Sequence, residues 1–227
     1  MPRTLKADVH LERRDAFLDV AQRLIVTKGY EAMSIQDVLD ELNVSKGALY
    51  HYFDSKESLL DGVVDRMAEA GMARVRPVLE DPDIPALRQL EGVLGMLADF
   101  KAEQKDLVQA ILEVWIADGN AVTREKVRRL TVRWMGPILS QVIRKGVAEG
   151  VVHTETPEET AQILMYLALG VQQLATELLL ARRRGEVSFE QVRRTFEAYT
   201  RAFERILGVP ERSVTLAEES TLRFWFG

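Results

Sequence analysis

The stretch that most constrains the fold spans residues 34–60 and reads SIQDVLDELNVSKGALYHYFDSKESLL. Ser34 is a favourable N-cap, and the apolar residues that follow it recur at helical spacing. Asn43 is expected to end this first helix, because asparagine tolerates the left-handed conformation of a helix stop. Ser45 is expected to cap a second helix over residues 46–52. The stretch therefore predicts two short helices, a tight turn between them, and the start of a third helix.

The second helix is too short to be stable by itself, so its outward face is expected to have a use. Ser45 and Lys46 place a hydroxyl and a cation at its first turn, which favours phosphate binding. Gly47 lets the backbone approach a partner closely. A cation at Lys56, in the first turn of the next helix, opposes the helix dipole and is explained by a nearby phosphate. These features are typical of a helix-turn-helix, whose second helix enters the major groove.

The run VSKGALYHYFDSKESLL resembles the signature of the TetR family of bacterial transcriptional regulators. The resemblance covers residues 10–62, and the remainder is similar only in being helical and of comparable length. Leu39 departs from it, since the family usually has alanine there. The resemblance implies that Tyr50, His51 and Lys56 bind mainly phosphates and that Lys46 and Ala48 lie nearest base edges. The full set of predicted DNA-binding residues is Ser34, Ser45, Lys46, Gly47, Ala48, Tyr50, His51, Tyr52 and Lys56.

Composition excludes several other classes of protein. The chain of 227 residues has no cysteine and three scattered histidines, so neither a metal site nor a cofactor is expected. It shows no phosphate loop or nucleophile elbow, so no catalytic residue and no enzyme is predicted. It lacks a signal peptide and an apolar run of about 18 residues, so we expect a cytoplasmic protein without a membrane span.

The charge balance limits how the chain can bind DNA. The net charge is −5, and residues 1–60 hold ten acidic against eight basic side chains. Binding should therefore depend on a few placed cations and not on bulk charge. Arg3, Lys6, Arg13 and Arg14 of the N-terminal segment either add minor-groove contacts or stay solvated.

Helical periodicity continues to the end of the chain, so the predicted class is all-α. The predicted helices cover residues 12–28, 34–42, 46–52, 55–79, 86–102, 105–118, 124–150, 157–184 and 189–207, with proline breaks at Pro77, Pro82 and Pro85. We expect a helix-turn-helix domain over residues 1–54, joined by a long helix to an effector-binding and dimerisation domain over residues 55–208. The tail, residues 209–227, ends in Leu222, Phe224, Trp225 and Phe226, which are expected to dock on the body or on a partner subunit.

Two apolar helical faces predict a subunit interface. Residues 163–171 are apolar all round, so one side is expected to face the core and the other a second subunit. Residues 189–207 carry a narrow apolar seam suited to another helix, of the same chain or of a partner. The family resemblance favours the homodimer, since TetR-like proteins pair their last two helices. The predicted interface residues are Leu164, Leu167, Val171, Phe189, Val192, Phe196, Tyr199, Phe203 and Ile206.

Large or polar side chains within apolar helical surfaces are candidate ligand contacts. The basic helix over residues 124–150 either presents a solvated face or turns Arg129 or Arg133 inward towards an anionic ligand. The candidate set is Met96, Phe100, Gln109, Glu113, Trp115, Arg133, Trp134, Tyr166, Gln173 and Glu177. As a set they predict a mainly apolar cavity with a few polar groups.

The sequence as a whole predicts a homodimeric, ligand-responsive transcriptional regulator. We expect a repressor that binds a near-palindromic operator in double-stranded DNA and is released by a small apolar or amphipathic effector. Two alternatives stay open at this point. One is a helical protein–protein adaptor that has kept a helix-turn-helix shape, and the other is an activator.

Overall fold

The computed structural model describes residues 2–116 and 121–227, with side chains described at positions 10–112, 125 and 128–227. Every regular element in these ranges is an α-helix, as predicted. The helices are α1 (Pro2–Lys28), α2 (Ile35–Leu42), α3 (Lys46–Tyr50), α4 (Lys56–Glu80), α5 (Ala86–Glu103), α6 (Lys105–Ile116), α7 (Ala121–Ala148), α8 (Pro157–Arg183), α9 (Phe189–Leu207) and α10 (Glu219–Phe226).

The helices differ from the prediction at several points. Helix α1 begins at Pro2 and not at residue 12, and α10 was not predicted. Pro77 lies inside α4 instead of ending it. A proline removes one intrahelical hydrogen bond, but packing on both sides of it can hold the helix together. Val75 before it is fully buried, and Leu79 after it packs against the same apolar cluster.

The chain divides into two compact units, with boundaries within α4, between α5 and α6, and within α7. The first unit comprises Met1–Glu69 and Gln104–Val127. In it α2 packs on α1, α3 follows α2, and α6 also packs on α1. Leu18, Ile25 and Leu49 are completely buried there. Burial of these apolar side chains holds the short α3, which has too few residues to be stable alone.

The second unit comprises Ala70–Glu103 and Arg128–Gly227. Its core contains residues of α5, α7, α8 and α9, among them Ile143, Leu164 and Leu207. Helix α8 is long and apolar enough to cross a membrane by length and composition alone. That is weak support for a membrane span, since a core helix of a soluble protein meets the same criterion.

The C-terminal tail packs on the second unit of its own chain. Helix α10 contacts α8 and α9, and the rings of Phe226 and Phe196 have centroids 5.8 Å apart. The Arg182 guanidinium donates a hydrogen bond of 3.0 Å to the Phe226 carbonyl. The backbone N–H of Thr215 donates to the Glu91 carboxylate at 2.9 Å. Leu222 and Phe226 are buried in this way, whereas Phe224 stays 43% exposed.

Candidate functional site

A capping box fixes the start of α2. The Ser34 N–H donates to the Asp37 carboxylate at 2.7 Å, and the Asp37 N–H donates to the Ser34 hydroxyl at 3.1 Å. Lys28 Nζ lies 2.7 Å from the same carboxylate. The hydrogen bond from Lys28, followed by those from Ser34, lowers the pKa of Asp37 to about 2. Because the Ser34 hydroxyl also donates to Asp37 at 2.8 Å, the side chain predicted to meet DNA has a partner within its own chain.

The turn between α2 and α3 has the predicted conformation. Asn43 adopts φ 51° and ψ 48°, in the left-handed region, and its N–H donates to the carbonyls of Asp40 and Leu39. The Val44 N–H also donates to the Leu39 carbonyl, at 3.1 Å. These bonds satisfy the last carbonyls of α2 and set the direction in which α3 leaves it.

Helix α3 is held by one side and leaves the other free. Leu49 is fully buried and Phe53, just after the helix, is 4% exposed. The residues at the opposite side are exposed, namely Ser45, Lys46, Gly47, Tyr50 and His51, while Ala48 is half-buried. Ser45 makes no side-chain hydrogen bond as N-cap, unlike Ser34. Six of the predicted DNA-binding residues therefore lie together at one exposed surface, which we call the α3 surface.

The aromatic residues after α3 have unequal environments. His51 and Tyr52 lie in the turn after α3 and not in the helix that was predicted to continue to residue 52. The Tyr52 ring is half-buried, with its centroid 4.5 Å from that of His10 and 5.7 Å from that of Phe17. Tyr52 thus packs partly against α1. The exposed His51 also has its ring centroid 5.5 Å from that of His10, whereas Tyr50 is exposed away from α1.

Lys56 has a partner within its own chain. Its ammonium donates to the Glu31 carbonyl at 3.1 Å and lies 4.3 Å from the centroid of the Tyr30 ring. Burial, with smaller effects of nearby carboxylates, raises the pKa of the Tyr30 phenol. The cation at the start of α4 is therefore explained without a phosphate, and a DNA contact by Lys56 depends on the family resemblance alone. The sequence could not reveal this contact, because the two partners are 25 residues apart.

The second unit contains a cavity of about 330 Å³. Helices α5, α7 and α8 supply most of its leucine, valine, isoleucine and methionine lining, and Leu216 of the tail also lines it. Phe196, Tyr199 and Phe203 of α9 add three aromatic side chains. Its volume and largely apolar lining are those of a small-molecule site. We call it the body cavity.

The predicted ligand residues do not line this cavity wherever the structure describes their side chains. Met96 and Tyr166 are exposed, Gln173 and Glu177 hydrogen-bond to each other at 3.1 Å, and Gln109 belongs to the first unit. Phe100 is buried beneath the Arg74 guanidinium, 4.8 Å from its ring centroid. Arg133 lies over the Trp134 ring at 5.9 Å. Glu113 and Trp115 have side chains outside the described part. The body cavity therefore gives no support to these residues as ligand contacts, because the size and polarity of a side chain along a helix do not say which face of the helix meets a cavity.

The predicted subunit-interface residues are largely used within one chain. Leu164 and Val192 are completely buried, and Phe203 is 5% exposed. Val171, Phe196 and Tyr199 line the body cavity, while Leu167 and Ile206 pack on the core. Phe189 is half-buried and lies 4.8 Å from the Arg223 guanidinium. Leu164, Val192 and Phe203 are therefore already covered within their own chain, and their assignment to a partner subunit stays a prediction that their burial does not support.

Sequence comparison relates the chain to known regulators. The model of the bacterial regulatory proteins of the tetR family matches residues 17–63, which contain α2 and α3. The HTH-type transcriptional repressor KstR2 of Rhodococcus jostii strain RHA1 is 26% identical over 159 residues, 66% of this chain and 72% of that protein. The repressor DhaR of Mycobacterium sp. strain GP1 is 23% identical over 184 residues, 81% and 85% of the two chains. Against KstR2 of Mycobacterium tuberculosis the match spans 48% of that protein.

Solved structures share the fold. NemR of E. coli in its reduced form matches with a TM-score of 0.52 and 20% identity, over 87% of this chain and 96% of that one. A Rhodococcus sp. protein assigned as a TetR-family transcriptional regulator matches with a TM-score of 0.55 and 22% identity, over 86% and 99%. At these identities the likeness concerns the arrangement of helices alone.

Proposed function

We propose that this chain is a regulator of the tetR family, whose model matches residues 17–63, and that it represses transcription from a near-palindromic operator. It is a DNA-binding regulator and not an enzyme. In our proposal it acts in the cytoplasm as a homodimer and leaves the operator when a small apolar or amphipathic effector binds. Repression is favoured over activation because KstR2 and DhaR are both named as repressors.

The α3 surface is the observation that carries the proposal. Buried Leu49 and Phe53 hold α3 within the first unit and leave Lys46 and Tyr50 exposed on its outward side. One short helix thus presents a cation, a glycine backbone and an amphipathic ring. Together these groups can contact both phosphates and base edges. Residues 1–60 hold ten acidic against eight basic side chains, so DNA binding there depends on placed cations such as Lys46 and not on an excess of positive charge.

An operator selected from random duplex DNA allows the α3 surface to be tested. Lys46→Ala should weaken binding and reduce the slope of log affinity against log salt by about one unit if its contact is a phosphate. Tyr50→Ala should weaken binding as well. Arg194→Ala, which removes an exposed cation from α9 in the second unit, is the matched control and should bind like wild type. Folded Lys46→Ala and Tyr50→Ala proteins that both bind with wild-type affinity would refute the proposed interface.

The outer face of α8 supports the proposal of a two-fold dimer. Ile163 and Tyr166, three residues apart on one helix face, are 56% and 55% exposed in a single chain. Exposed large apolar groups on an ordered helix are typical of protein interfaces. A two-fold axis would pair this face with its own copy. Tyr166→Glu should therefore give monomers in sedimentation velocity, while Met96→Glu, at another exposed apolar position on α5, should not. A dimer that persists in Tyr166→Glu would place the interface elsewhere.

The body cavity is the proposed effector site. A ligand shifts an equilibrium only by its difference in affinity for two states, about 1–3 kcal/mol for most allosteric pairs. The coupling is reciprocal. If the effector weakens operator binding by a given factor, operator DNA must weaken effector binding by the same factor. Titration of an effector with and without operator measures both factors. Equal effector affinity in the two titrations would refute the switching proposal and leave DNA binding untouched.

A further inference from the structure

We propose that the body cavity selects an amphipathic anion, whose acidic group pairs with Lys101 and whose apolar part occupies the floor of the cavity. The proposal rests on the proposed function only in taking this cavity as the effector site. It adds the chemical class of the ligand and the residue that recognises its charge.

The lining of the cavity separates into an apolar floor and a polar mouth. Leu90, Met165 and Phe203 line the cavity and are each between 5% and 6% exposed. Lys101 and Gln172 line the same cavity and are exposed. Buried residues mark the closed side of a cavity and accessible residues its opening. A molecule that fills the cavity is thus expected to place its apolar part inwards and its polar part at the opening.

Helix geometry supports this division. Leu90, Leu94 and Lys101 are four and then seven residues apart, so they share one face of α5. Lys101 lies seven residues after Leu94, which corresponds to about 10 Å along the helix. An occupant that contacts both is therefore extended, with an apolar length of several carbon atoms between its contact at Leu94 and its charged end.

Lys101 is the charged residue among those that line the body cavity, and the described lining contains no acidic side chain to balance it. Among the residues that the structure describes, no carboxylate forms an ion pair with Lys101. Loss of hydration among the surrounding protein atoms lowers the pKa of the Lys101 ammonium. The side chain nevertheless keeps accessible surface at the edge of the cavity. A cation that is partly dehydrated and unpaired gains more from an anionic ligand than a fully solvated surface lysine would.

The other polar lining residues are neutral and compatible with an acid. Gln172 and Tyr199 carry an amide and a phenol, both of which can donate hydrogen bonds to a carboxylate. Neither Arg129 nor Arg133, the cations that the sequence suggested, is in the lining. The recognition of charge therefore falls to Lys101.

Three probes of equal chain length test the inference, namely decanoate, decan-1-ol and decylammonium. Isothermal titration to the full-length protein at constant ionic strength should show decanoate binding about tenfold or more tightly than decan-1-ol, with decylammonium weakest. Lys101→Met keeps the length and apolar character of the stem and should bring decanoate to the level of decan-1-ol. Lys101→Arg should keep the preference. Arg194→Met lowers the net charge equally outside the lining and should also keep it.

The possible outcomes separate this inference from the proposed function. A failure of decanoate to bind, equal affinity for decanoate and decan-1-ol, or an unchanged preference in Lys101→Met would each overturn the anion site. Operator release by decan-1-ol but not by decanoate would overturn it too, while leaving the effector switch standing. Decanoate binding that depends on Lys101 but leaves operator affinity unchanged would support the anion site and overturn the switch.

Discussion

The end of α7 passes so close to the following segment that Gly146 has no room for a side chain. A Cβ at this position would lie 2.5 Å from Val152 Cγ2, 3.1 Å from Val152 Cβ and 3.4 Å from Ala86 Cβ. Ala86 and Val152 are themselves 0% and 3% exposed. The N–H groups of Val151 and Val152 both donate to the Gly146 carbonyl, at 2.9 and 3.0 Å. Val152 therefore cannot retreat without losing a backbone hydrogen bond or its buried position.

Two opposing effects set the size of the change in Gly146→Ala. Replacing glycine by alanine inside a helix stabilises by about 1 kcal/mol, whereas overpacking a core costs about 1–3 kcal/mol. Gly95 of α5 supplies the matched control, because a Cβ there would have no heavy atom within 4 Å. Gly95→Ala should therefore show the helical gain alone. The difference in unfolding free energy between the two variants isolates the clash, and we expect Gly146→Ala to be the less stable by about 1–3 kcal/mol.

Urea unfolding followed by circular dichroism measures this difference. All three proteins must be compared at one protein concentration, because the stability of a dimer depends on it. The slope against urea should be the same in each, so that a shifted midpoint reports stability. If Gly146→Ala is as stable as Gly95→Ala, the Val152 side chain turns away at no cost and the close approach has no energetic consequence.

Two further predictions concern the caps and the tail. The pKa of Asp37 is about 2 in the folded protein against 3.8 in the unfolded chain. The ion pair and cap of Asp37 therefore stabilise the fold above pH ~4, and this stabilisation is lost progressively as the pH falls from 3.8 to 2. Asp37→Asn should remove this part of the acid dependence of stability. Thermal unfolding from pH 2 to 5 measures it, and an unchanged acid profile would contradict the assignment. Phe226→Ala should cost about 3 kcal/mol in urea unfolding, while Phe224→Ala at the exposed neighbouring site should cost under about 1 kcal/mol. Equal losses would mean that Phe226 does not anchor the tail.

Features that depend on residues close in sequence were predictable. The Ser34 cap, the left-handed Asn43 and the bounds of α9 follow from interactions that span three or four residues. Ser188 caps α9 with Gln191, and Gly208 ends it at φ 65°. The α3 surface was predictable for the same reason, since one apolar anchor on a short helix decides which residues face outward.

Features that depend on distant partners were not predictable. Lys56 was assigned to a phosphate because the sequence does not show that its partners, Tyr30 and Glu31, lie close to it. Both partners are on a segment before α2. The tail was expected to dock, but α10 itself was missed, since the partners of its last described contacts, Phe196 and Arg182, lie on α9 and α8, far earlier in the sequence. Short helices of this kind are set by tertiary packing.

Residues predicted for the ligand site and residues predicted for the subunit interface are found in each other's expected surroundings, and this has one physical cause. Phe196 and Tyr199, assigned to a partner subunit, line the body cavity, while Tyr166, assigned to the ligand, is exposed on α8. Apolar periodicity shows that a face is removed from water, and this stabilises by about 25 cal/mol per Å² whatever covers the face. Core, subunit and ligand therefore leave the same pattern in a sequence. Charged residues allow the three cases to be told apart. A cation such as Lys101 is costly to bury against an apolar core but not beside an anion. The position of each charge in the folded chain therefore distinguishes a ligand site from a core.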